Sequence, residues 1–153
     1  MPFVSVTRLR IRSWRFMPRF VLHTLRTLQQ VRGSAGFLGG ALLPDRRLAF
    51  WTLTVWDDAA AMKRYMTGGA HLAAMPLLLD WCDEASVAHW TQATALPPDW
   101  SEADRRMRGE GRASKVRHPA PTHTSLDYAP PRLSRSVAVQ PRGCARSSLI
   151  DRP

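Results

Sequence analysis

The chain has 153 residues and 17.2 kDa, enough for one domain with a real core and too little for two ordinary ones. The formal charge of +10 invites a nucleic-acid reading, yet only Lys63 and Lys115 are lysines, and no aromatic-interleaved RNA motif or helix-turn-helix pattern accompanies the arginines. No segment approaches the roughly 18 to 20 apolar residues of a membrane-spanning helix, and the basic start lacks a signal-peptide core, so a cytoplasmic location is expected.

Phe3 to Arg12 alternates with period two, placing Phe3, Leu9 and Ile11 on one side and Arg8, Arg10 and Arg12 on the other. That predicts a half-buried strand with a solvated basic strip. From Pro18 to Arg32 the period changes: Met17, Phe20, Val21, Leu25, Leu28 and Val31 recur at spacings of three and four, and Gly33 can stop the turn. An amphipathic helix follows from this, with His23 beside its apolar stripe. Residues 35–43 and 47–56 are β-compatible runs separated by Pro44, Asp45 and Arg46, which predicts an antiparallel hairpin.

Asp57 or Asp58 can cap the next helix, which carries Met62, Tyr65 and Met66 inward and ends at Gly68 and Gly69. A second helical piece spans about residues 70–83. On it His71, Met75, Leu78 and Cys82 share one face, and Pro76 is expected to kink it or shorten its start. Residues 84–94 read as a fourth strand with Val87, His89 and Thr91 on one side and Ala88 and Trp90 on the other. The β-α-β-β-α-β order is that of a ferredoxin-like α+β sandwich, whose open sheet face calls for a partner. This domain occupies residues 1–96. A short helix and strand are expected within 97–119, and residues 120–153, basic and rich in Pro, Ser and Arg, lack periodicity and are expected to be disordered. His118 and His123 fall in this weakly patterned end. Cys82 and Cys144 have no neighbours at zinc-site spacing, so neither metal nor disulfide is expected.

The element order, the strand ending in Trp56, the Asp57-Asp58 cap and the GGAH stretch before an apolar run resemble the antibiotic biosynthesis monooxygenase-like proteins of the dimeric α/β-barrel superfamily. Spheroidene monooxygenase-like proteins are similar more loosely. The resemblance covers roughly residues 3 to 94. It implies a homodimer, an apolar pocket between helices and sheet, and a hydrophobic aromatic, polyketide or isoprenoid ligand. Members range from cofactor-free oxygenases through haem-using enzymes to proteins without known activity. In haem-degrading relatives a Trp near this strand end and a His on the later helix contact the porphyrin, which transfers to Trp56 and His71 as catalytic candidates, with His71 also the haem-binding candidate. Without haem, His71 could act as a base on an acidic phenol. Phe20, Met66, Met75 and His89 are the candidate substrate contacts. Each has a plainer reading: Trp56 as core anchor, His71 and His89 as satisfied buried histidines, the Met residues as core filler. A non-catalytic binding dimer and, less favoured, a nucleic-acid-binding protein are the alternatives.

Overall fold

The computed structural model describes residues 1–143. Its strands and helices run β1 (Phe3–Ile11), α1 (Met17–Arg32), β2 (Phe37–Pro44), β3 (Ala49–Trp56), α2 (Ala59–Met66), α3 (Gly69–Trp81), β4 (Cys82–Thr91), α4 (Trp100–Glu110), β5 (Arg112–Ala113) and β6 (Val137–Val139). The sheet order is β5-β4-β1-β3-β2-β6, with every pairing antiparallel. Its centre, β4-β1-β3-β2, is the split βαβ arrangement that the hydrophobic periods predict.

Local chemistry sets the boundaries. Asp58 accepts the N–H of Ala61 at 2.7 Å and opens α2, and Asp99 does the same for Glu102 at 2.8 Å in α4. Pro76 does not shorten the start of α3, which runs from Gly69 with the proline in its interior. Leu72, whose carbonyl loses its partner to the proline ring, and Pro76 itself are both exposed, so water can satisfy that group. Cys82 is the first residue of β4 and not part of the α3 face. It is buried, and burial, followed by the field of Asp83, pushes its thiol up to about 12.

The face of the sheet expected to take a partner is covered within the chain. Val4, Val6, Trp51, Leu53, Val55, Ala88 and Trp90 pack there beneath Trp100, Ala103 and Met107 of α4 and Tyr128. Residues 120–143, for which composition predicts disorder, are placed: His123 and Tyr128 are buried, and β6 pairs with β2. The anchors are single and widely spaced, which is why no periodicity announces them. The His123 ring accepts the Ala85 N–H through Nδ1 at 3.3 Å and donates from Nε2 to the Ser114 carbonyl at 2.8 Å, tying this segment to β4. The remainder of the expected disordered tail, residues 144–153 with Cys144, lies outside the described residues.

The basic strip of β1 is not solvated. Arg8 pairs with Glu84 at 2.6 Å, Arg10 with Asp83 at 2.8 Å, and Arg12 with Asp80 at 3.6 Å. These arginines are therefore committed to carboxylates of the same chain. No helix among the described residues is long and apolar enough to cross a membrane.

Candidate functional site

Cross-strand register arranges the helix-facing side of the sheet in rows. At one end Phe3, Trp56 and Phe37 lie side by side, and α2 packs onto them through Ala61, Met62 and Tyr65. The next rows are small and polar: His89, Ser5 and Thr54, then Val87, Thr7 and Thr52. The opposite face of the same strands carries Val4, Val6, Trp51, Leu53 and Val55. The large rings of the end row prop the helix layer above the sheet, and the short Ser and Thr side chains of the next rows leave the space beneath it unfilled in an interior that is otherwise close-packed. The result is a cavity of about 740 Å³ between α1, α3 and the sheet. That size lies within the range of roughly 300–1,000 Å³ of small-molecule sites.

Hydroxyl groups and His89 floor this cavity, while Phe20, Leu28 and Val31 of α1, Met62, Tyr65 and Met66 of α2, and His71, Ala74, Met75 and Leu78 of α3 enclose it. Met75 is 42% exposed and Leu25 57%, so the gap between α1 and α3 presents an apolar rim to solvent. Among the candidates read from sequence, His71, His89, Phe20, Met66 and Met75 line this one space. Trp56 does not. It is wholly buried behind Tyr65, its ring 5.2 Å from the phenol and 5.3 Å from Phe37.

Tyr65 and Gln30 carry weight that the sequence does not advertise. The Tyr65 ring sits 4.7 Å from His71, so phenol and imidazole meet on the roof with Trp56 as backing. Burial, only partly offset by the Thr27 hydroxyl, raises the Tyr65 phenol well above its ordinary pKa and keeps it protonated. Gln30 reaches from α1 to the α2–α3 junction: its Nε2 donates to the carbonyls of Tyr65 at 3.0 Å and Gly68 at 2.9 Å, and its Oε1 accepts the His71 N–H at 2.7 Å. It satisfies backbone groups that two helix ends leave open and so holds the first turn of α3, on which His71 stands. Gly69, at φ 57°, lets the amide lie against the backbone; a Cβ there would stand 3.0 Å from the Gln30 Cδ.

The Met66 carbonyl, 3.3 Å from His71 Nδ1, can only accept, so the neutral ring carries its proton on Nδ1 and its lone pair on Nε2. Burial lowers the His71 pKa, and the Met66 carbonyl opposes this weakly. Burial and then the Arg112 charge lower that of His89. Both imidazoles are therefore neutral near neutral pH. An unfolded chain takes up these two protons near the ordinary value of about 6.5, where the folded chain does not. The stability they contribute is complete above that value and is lost as pH falls through it toward the lowered folded values. Stability against urea is accordingly expected to fall between about pH 7 and pH 5, and an H71L/H89L double variant to flatten that part of the profile.

A haem would find a suitable donor in the neutral His71, and the group would supply iron on which oxygen can be activated. Among the described residues no three His, Cys, Asp or Glu side chains gather as a metal site.

No protein-family model matches the chain, and no curated protein sequence does. Solved structures do match in fold. The cofactor-independent oxygenase SnoaB from Streptomyces nogalater superposes with a TM-score of 0.52 at 20% identity, over 63% of this chain and 98% of its own. An antibiotic biosynthesis monooxygenase gives 0.54 at 14% identity, over 60% and 99%. A conserved protein from Methanosarcina mazei gives 0.55 at 11% identity, over 61% and 94%. At these identities the likeness establishes the fold, the same ferredoxin-like α+β sandwich as the antibiotic biosynthesis monooxygenases.

Proposed function

We propose that the chain is an oxygenase-like protein that takes a hydrophobic aromatic, polyketide or isoprenoid compound into the cavity between its helices and sheet and oxidises it with molecular oxygen. The observation that carries this reading is the placement of a neutral imidazole, His71, with a free lone pair on the wall of an otherwise apolar cavity floored by hydroxyls. Apolar walls bind the ring system. His71 removes a proton from an acidic ring position, and Ser5, Thr7 and Thr52 are the hydroxyl donors of the floor for the oxygen of the resulting enolate. The electron-rich enolate reduces oxygen. For an anthrone the overall change is CH2 plus O2 to C=O plus H2O, so one oxygen atom enters the ring and the other leaves as water.

The test pairs oxygen uptake with ligand binding, using anthrone as the substrate probe. Wild type is expected to consume one O2 per anthrone, and H71A to turn over about 10²–10⁴-fold more slowly while still quenching its tryptophan fluorescence on binding anthrone. Binding without turnover in wild type would replace catalysis by a plain binding role, and absence of binding would overturn both. A haem titration followed in the Soret band separates the cofactor-free from the haem-using version, since a saturating shift that vanishes in H71A assigns haem to His71.

A homodimer belongs to the same reading. Because α4 and Tyr128 cover the sheet face of their own chain, sheet-to-sheet pairing of two copies needs these segments to be displaced or exchanged. Light scattering of the full chain reports the number of copies directly.

A further inference from the structure

The rim of the cavity is not uniform. At the β4–β5 edge it is lined by Arg112 and Lys115, the second of the chain's only two lysines. The register sets Arg112 opposite Val87, and Val87 and His89, two apart on β4, point to the same side of the sheet. Arg112 therefore continues the floor row Val87, Thr7, Thr52 and stands diagonally beside His89.

These cations differ from the arginines of β1 and α4. Arg8, Arg10, Arg12, Arg105, Arg106 and Arg108 each hold a carboxylate within 4 Å. Among the described residues no carboxylate lies that close to Arg112 or Lys115. The neighbouring His89 Nε2 is buried with no hydrogen-bond partner. Arg112 and Lys115 thus line one end of an apolar space with the His89 ring in the same wall, and a guanidinium there binds a carboxylate with paired, charge-assisted hydrogen bonds. A free small anion would leave the apolar walls empty, so the anion is attached to the apolar body that fills them.

We propose that this end of the cavity is a carboxylate site: Arg112, with Lys115 as the second cation of the same rim, takes the carboxylate of an otherwise hydrophobic, polycyclic ligand. The assignment rests on the reading of the cavity as a small-molecule site and narrows its ligand to an acid.

The probes are anthraquinone-2-carboxylate and its methyl ester, which share shape and ring system and differ in charge. Calorimetric titration of the full chain at neutral pH is expected to give at least about ten-fold tighter binding of the acid, the scale of one charge-assisted contact. In R112Q/K115Q the acid is expected to fall to the affinity of the ester, while the ester binds as before. Both side chains are exposed, so the variant keeps the fold, checked by its unfolding midpoint. Equal affinities in wild type, or a preference for the acid that survives in R112Q/K115Q, would overturn the carboxylate site and leave the cavity reading standing. Failure of both compounds to bind would overturn the two together.

Discussion

Replacing Glu84 by Gln is expected to cost about 3–5 kcal/mol of folding stability, more than most single changes in a domain of this size. Glu84 and Arg8 are both buried, with Oε2 accepting from Nη1 at 2.6 Å. The other carboxylate oxygen accepts from the Thr122 hydroxyl and faces Arg10 Nη1 at 3.3 Å. One carboxylate therefore joins β1, β4 and the segment after residue 120. The Arg8 guanidinium lies 4.4 Å from the centre of the Tyr128 ring, and its Nε has no partner, so the neutral amide would leave a buried cation with little to compensate it. Burial alone would raise the Glu84 pKa. The hydrogen bonds from Arg8 and Thr122 and the charges of Arg8 and Arg10 outweigh it, and the net shift is downward.

The sign of the pH effect follows. A carboxylate whose folded pKa is depressed stabilises fully above its ordinary value near 4.3 and loses that contribution as pH falls through the folded value. Acid unfolding of wild type should therefore contain a component below about pH 4 that E84Q lacks. Urea titrations at neutral and acid pH measure both effects. A cost for E84Q under about 1 kcal/mol would mean that Arg8 finds water or another acceptor and that the buried pair contributes little.

What the sequence discloses about this fold, and what it withholds, has a physical basis. Strands and helices were legible because burial on one side imposes a period of two or of three to four. The hydroxyl floor was also written there, as Ser5 and Thr7 alternating with Val4 and Val6, and Thr52 and Thr54 alternating with Trp51, Leu53 and Val55. It went unread because apolar residues are taken to mark the helix-packed face, whereas here the bulkier face lies under α4. The sequence announces a short helix within 97–119 but neither its Asp99 cap nor its destination. The segment after residue 120 commits only isolated side chains such as His123, Leu126, Tyr128 and Val139 to the sheet, and isolated anchors leave no period. Gln30 had no signal at all, since its three hydrogen bonds join positions 35 to 41 residues away. Among the candidate residues, apolar spacing brought Phe20, Met66, His71 and Met75 to one roof, and strand alternation put His89 on the floor beneath. Trp56, a candidate by resemblance, ends its strand where α2 closes the cavity off.

Trp56 supplies the other large expected effect, and two substitutions divide its roles. W56A is expected to cost about 3–5 kcal/mol, because the indole is fully buried and its removal leaves a hole under α2. The same hole would free Tyr65, which rests on the indole, and through it His71, so ligand affinity should fall along with stability. W56F should behave differently. The indole Nε1 is buried without a partner, so an apolar ring loses no hydrogen bond there, and it keeps an aromatic wall between Phe37 and Tyr65. Anthrone binding by W56F is therefore expected to match wild type, with a smaller stability loss of about 1–3 kcal/mol from the reduced volume. Chemical denaturation and fluorescence-independent calorimetry of both variants decide the matter. Should W56F keep its fold and its ligand yet lose oxygen uptake, the indole would have to reach the ligand in a conformation that opens α2, and Trp56 would join His71 in the reaction itself.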